Sequence, residues 1–107
     1  MPSPSDRTSD QLAEAAASTP VVDLSGVELD RLLRGAVIAE ERNTLISGMI
    51  RVLEVGPVVL VQEETPDGRA LLRRVASRAE ADEFLADRLA TYERMWDGCG
   101  CKVHYFE

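Results

Sequence analysis

The chain has 107 residues, of which 45% are hydrophobic and 29% are charged, and its formal net charge is −7. A chain of this size forms one domain with a single core. The excess of 19 acidic over 12 basic side chains, without clusters of Lys and Arg, argues against binding of nucleic acid. No apolar run reaches the roughly 20 residues of a membrane-spanning helix, and no leader pattern opens the sequence, so we expect a cytoplasmic protein without a membrane partner.

The first 22 residues are rich in Ser, Thr, Pro, Asp and Ala and have no sustained periodicity. Such a composition buries too little apolar surface to offset the entropy lost on ordering. We therefore predict a flexible N-terminal tail over residues 1–22 and a folded α+β domain over residues 23–107.

A helix is predicted to begin after Ser25, because Ser25-Gly26-Val27-Glu28 matches the S-x-x-E capping box. Apolar residues then recur at helical spacing on one face: Leu29, Leu32, Leu33, Ala36 and Val37. Gly35 lies inside this stretch, and a glycine there is compatible with close approach of another backbone.

Three β-rich runs follow, Met49 to Val55, Val58 to Gln62 and Arg69 to Val75. Turn signals separate them at Gly56-Pro57 and at Pro66-Asp67-Gly68. This pattern predicts a three-stranded antiparallel meander. Both alternating sets of the middle run are largely apolar, which favours a central strand covered on both faces.

A second capping box, Ser77 to Glu80, predicts another helix. Its apolar residues form a stripe that we expect to pack in the core: Ala81, Phe84, Leu85, Leu89, Tyr92 and Trp96. Gly98 suits the end of this helix, and Lys102 to Phe106 alternate as a short edge strand would. The predicted order is α-β-β-β-α-β, with the meander packed against two helices and a Cys-Gly-Cys loop before the last strand.

The sequence carries no complete catalytic signature, so we expect a protein that is not an enzyme on its own. Glu40-Glu41 and Glu63-Glu64 could be mistaken for catalytic carboxylate pairs, but neighbours in sequence point apart on a helix or strand, and we predict that both pairs are solvated. The sequence pairs no hydroxyl with a general base.

The reactive side chains of the sequence lie in Gly98-Cys99-Gly100-Cys101, which contains both cysteines of the chain. Thiols and imidazole are ligands of zinc and copper, so Cys99, Cys101 and His104 form a candidate metal site, with Asp97 or a residue of a second subunit as a fourth ligand. The pair follows the end of a helix, where the helix dipole and Asp97 disfavour thiolate. A metal cation or a partner could supply the missing positive charge.

Three hypotheses follow. The first is a small accessory protein that binds a zinc- or copper-class metal at a homodimer or partner interface. The second is a redox protein or sensor in which Cys99 and Cys101 interconvert between dithiol and disulfide. The third is an adaptor that recruits a protein partner through the edge of the meander and its acidic surface.

Overall fold

Three helices and five antiparallel strands make up the part of the chain that the computed structural model describes, residues 7–44 and 48–98, the last three of them as backbone only. Their order confirms the predicted α+β class. The elements are α1 (Ser9–Ser18), β1 (Val22–Leu24), α2 (Gly26–Gly35), β2 (Val37–Asn43), β3 (Met49–Val55), β4 (Val58–Glu64), β5 (Ala70–Val75) and α3 (Arg78–Gly98).

The strands form one sheet in the order β1-β5-β4-β3-β2. The predicted meander is confirmed as β3, β4 and β5, and the strand expected to be central, β4, is the third of the five. The turns between these strands use Gly56 and Gly68, whose φ angles of 58° and 85° lie in the left-handed region that favours glycine.

Both faces of the sheet are covered, because apolar residues alternate along its central strands. On one face Leu53, Leu60 and Leu72 pack with Leu12 of α1 and Leu32 of α2. On the other face Ile50, Val52 and Val61 pack with Ala81 and Leu85 of α3. The sheet is therefore the middle layer, with α1 and α2 on one face and α3 on the other.

The predicted tail is wrong for residues 9–18, which form α1. Thr8 and Gln11 make a reciprocal capping box, with hydrogen bonds of 2.9 and 3.3 Å. Leu12 is fully buried, and Ala13 and Ala16 lie beside it against the sheet. Composition does not reveal this helix, because small alanines let a mostly polar helix pack closely through one narrow stripe.

Two strands were not predicted. We expected Ala36 and Val37 on a helix face, but α2 ends at Gly35 and Val37 begins β2, while the three-residue β1 pairs with β5. Glycine is a poor helix former and the β-branched Val37 and Ile38 favour a strand. A Cβ on Gly35 would lie 2.8 Å from the Ser9 hydroxyl, so the close neighbour is a side chain of α1 and not a backbone.

The predicted capping box of α2 is confirmed, and its carboxylate has a second role. Glu28 is buried, its carboxylate accepts the Ser25 N–H at 3.0 Å, and its own N–H donates to the Ser25 hydroxyl at 3.1 Å. The same carboxylate accepts Nε of Arg7 at 2.7 Å and the Arg7 N–H at 3.0 Å. One buried carboxylate thus joins the starts of α1 and α2.

None of the described helices is long and apolar enough to cross a membrane. The predicted edge strand from Lys102 to Phe106 lies outside the described residues.

The hydrogen bonds from Arg7 and Ser25 to the Glu28 carboxylate predict a stability that is lost in acid. Burial by itself raises the pKa of Glu28, but hydrogen bonds from Arg7 and Ser25 outweigh it and lower this pKa from 4.5 to about 2. A lowered folded-state pKa contributes stability above pH 4.5, and this stability is lost as the pH falls toward 2. We expect Glu28→Gln to lower the free energy of unfolding by about 2 kcal/mol at pH 7 and to flatten this pH dependence.

Urea unfolding between pH 7 and pH 2.5 measures both effects. Glu14→Gln is the matched control, because Glu14 is exposed on α1. An equally steep loss of stability below pH 4.5 in Glu28→Gln and in the unmodified chain would contradict the assignment.

Candidate functional site

The predicted metal ligands lie at and beyond the end of α3. Cys99, Cys101 and His104 are outside the described residues, as is the predicted Cys-Gly-Cys loop. The backbone places Asp97 in the last turn of α3, which runs to Gly98. Helix α3 therefore ends one residue before the first thiol. The contacts that fix α3 on the sheet determine where the candidate site begins.

The start of α3 is capped by Ser77 and Glu80, as predicted, with one difference. The Glu80 N–H donates to the Ser77 hydroxyl at 3.2 Å. The Glu80 carboxylate accepts the N–H of Ala76 at 3.3 Å, one residue earlier than a reciprocal box requires. Together these bonds satisfy donors at the entrance to the helix.

The predicted apolar stripe of α3 faces the sheet. Ala81, Leu85 and Tyr92 are buried, and Phe84 and Leu89 are half-buried against the same cluster. The side chain of Trp96, the last member of the predicted stripe, is outside the described residues. The helical spacing thus identified the packed face correctly from Ala81 to Tyr92.

A buried carboxylate lies under α3, where the sequence led us to expect a solvated one. Glu63 of β4 is 2% exposed. It accepts hydrogen bonds from Nη1 of Arg73 at 2.7 Å and from the hydroxyl of Tyr92, and Nε of Arg88 lies 3.5 Å away. The prediction for Glu63 was wrong because its partners come from β5 and α3, which no local pattern reveals.

The two arginines also stack on an aromatic ring. The guanidinium carbons of Arg73 and Arg88 lie 5.0 and 5.1 Å from the ring centre of Phe84. Two cations around one carboxylate and one ring compensate the burial of Glu63. This Glu63 cluster (Glu63, Arg73, Phe84, Arg88 and Tyr92) joins β4, β5 and α3, and it fixes the part of α3 that leads to Asp97.

A second polar cluster lies on the opposite face of the sheet. Arg51 of β3 binds Glu41 at 2.7 Å, Glu64 at 3.0 Å and the side-chain oxygen of Gln62 at 2.6 Å. Its guanidinium links β2, β3 and β4 and neutralises part of the acidic charge there. Because Glu63 and Glu64 point to opposite faces, the two clusters are separate, as the alternation of a strand requires.

Two of the surface depressions that the described residues form lie beside β1 and beside α3. The larger, of about 540 Å³, has Leu24, Leu29 and Ala70 in its wall and the Asp23 to Arg69 ion pair, 2.7 Å long, beside them. The smaller, of about 150 Å³, lies between α3 and the end of β2 and is lined by Asn43, Thr44, Leu89, Tyr92 and Glu93.

Comparison with known proteins finds no matching family, no matching curated protein and no matching solved structure. Among the described side chains, residues 7–44 and 48–95, no three of His, Cys, Asp or Glu come together as a potential metal site.

The Glu63 cluster predicts a large difference between two adjacent glutamates. We expect Tyr92→Phe to lower the free energy of unfolding by about 1 kcal/mol, because Glu63 loses one hydrogen bond. Glu63→Gln removes the charge that faces both arginines, and we expect a loss of about 3 kcal/mol. Glu64→Gln, at a more exposed neighbour, should cost less than about 1 kcal/mol.

Urea unfolding followed by far-ultraviolet circular dichroism gives these differences directly. Equal losses for Glu63→Gln and Glu64→Gln would show that burial under α3 does not set the contribution of Glu63.

Proposed function

We propose that this chain is a small accessory protein that binds a zinc- or copper-class ion through Cys99 and Cys101, with His104 and Asp97 as further ligands. The observation that carries the proposal is the charge at the end of α3. Its last turn contains Asp97 and no basic residue, and both thiols of the chain follow within three residues of Gly98.

The electrostatics of this helix end favour a cation. The unpaired carbonyls at the C-terminus of a helix carry a partial negative charge of roughly half an electron. This charge and Asp97 raise the free energy of a nearby thiolate, whereas they lower that of a bound cation. A metal ion stabilises the thiolates and compensates the helix end together, which is why we prefer metal binding to a free reactive dithiol.

The donor set fits the same class of metal. Thiolate and imidazole are the ligands of zinc and copper sites, and a structural zinc site takes four protein ligands. One chain offers four candidates, Asp97, Cys99, Cys101 and His104. A second copy or another protein could contribute in place of Asp97 or His104, so we place the site at a subunit or partner interface.

Native mass spectrometry of protein purified without oxygen, chelator or affinity metal tests the proposal. We expect one zinc ion per chain or per pair of chains after addition of zinc, and none in the double variant Cys99→Ser with Cys101→Ser. Asp97→Asn should weaken zinc binding by at least about tenfold, because even the loss of an outer partner that orients a metal ligand costs about 10- to 100-fold in affinity. Asp87→Asn, at an exposed position of the same helix, should leave binding unchanged.

Three outcomes would contradict the proposal. Equal zinc uptake by the unmodified chain and the double serine variant would place the metal elsewhere. A metal-free protein that reversibly loses two hydrogens on mild oxidation would instead favour the dithiol redox protein. Reduced thiols that bind no metal and do not cycle would favour the adaptor.

A further inference from the structure

The outer edge of β2 is open in the part of the chain that the structure describes. β2 pairs only with β3 there, although it is seven residues long. At its start Val37 and Ile38 are 62% and 44% exposed. A strand edge of this length leaves backbone donors and acceptors available to another strand.

We propose that residues 102–106 bind this edge antiparallel to β2, as the sixth strand of the sheet. The proposal can be tested without metal, but it bears on the ligand set: His104 would lie inside the strand, about 10 Å along the chain from Cys101, so the fourth metal ligand would come from a second subunit or a partner. Three observations support the strand: the course of α3, the length of chain after it, and the charge and apolar surface along β2.

The course of α3 fixes the direction. Its first half packs on the sheet through Ala81, whereas Leu89, Tyr92 and Glu93 line the depression that Asn43 and Thr44 share. The helix therefore runs toward the end of β2 at Asn43. A segment that follows α3 and turns back must run from that end toward Val37, which is antiparallel to β2.

The length of the connection agrees with this direction. α3 continues six residues beyond Tyr92, to Gly98, which is about 9 Å of helix. The chain must also descend about 10 Å from the helix layer to the sheet, which makes the whole distance about 13 Å. Four steps separate Gly98 from Lys102, and an extended chain covers about 13 to 14 Å in four steps. A strand that begins at Lys102 would therefore start near the level of Asn43.

The charged and apolar residues of the segment 102–106 also match those along β2. Lys102 is the chain's only lysine, and it would enter opposite Asn43, within side-chain reach of Glu41, which lies two residues along β2 on the same face. Tyr105 and Phe106 would then extend toward the exposed apolar start of β2. A second copy fits less well, because a single pair of seven-residue strands buries less than the roughly 1,200 Å² of a stable interface. A segment of the same chain avoids most of the entropy lost on association.

Hydrogen exchange followed residue by residue by NMR, on metal-free protein, tests the proposal. We expect those β2 amides that point away from β3 to exchange at least tenfold more slowly than unprotected amides. Tyr105→Pro removes a strand donor and should abolish this protection without changing the β4 amides, which report that the variant is folded. Tyr105→Phe is the matched control and should retain the protection.

Unprotected outward amides in the unmodified chain would overturn the proposal. Protection that increases with protein concentration would overturn it as well, because a second copy would then be the occupant. Since no metal is present, neither result depends on the proposed function.

The single lysine provides a test of orientation. A carbodiimide joins an amine to a nearby carboxylate, and we expect Lys102 to be linked to Glu40 or Glu41 of the same chain. Lys102→Arg should abolish the product. Mixing unlabelled and ¹⁵N-labelled protein identifies links between copies. Products found only between copies, or only with carboxylates of α3, would overturn the antiparallel placement.

Discussion

The burial of the Glu63 carboxylate is the constraint on which the arrangement of the second half of the chain depends. A buried charge is costly unless charged and hydrogen-bonding partners surround it. Here those partners are Arg73 on β5 and Arg88 and Tyr92 on α3, so α3 satisfies the carboxylate only at one rotation and one position along the sheet. The apolar stripe of α3 supplies the affinity for the sheet, while Glu63 selects the register in which the helix packs.

The first half of the chain uses the same principle. Glu28 is buried at the start of α2, and Arg7 reaches it from the start of α1. In a chain of net charge −7, two acidic side chains are thus buried and bind neighbouring elements together. Glu63 also bears on the proposed function, because the helix that it helps to position, α3, ends directly before Cys99. We infer that the register selected by Glu63 also sets where the two thiols are presented.

Local signals were sufficient to predict β3, β4, β5 and α3 from sequence, because turn glycines and apolar periodicity specify each of them within a short window. The edge strands were missed for the opposite reason. β1 has three residues and exists by pairing with β5, and β2 carries three consecutive charges, Glu40 to Arg42, that hide its alternation. Likewise α1 depends on covering the sheet through Leu12. The sequence identified the candidate ligands by residue type, but it could not identify Glu63, whose partners lie 10 to 29 residues away.

The proposed metal ligands are joined to the fold through α3. Amide exchange along residues 89–98, measured with and without one equivalent of zinc, tests it most directly. We expect zinc to slow exchange over this part of α3 in the unmodified chain and to have no effect in the double serine variant, because a metal held at the helix end opposes fraying of its last turns. Zinc that binds to the cysteines while exchange along α3 stays unchanged would contradict it.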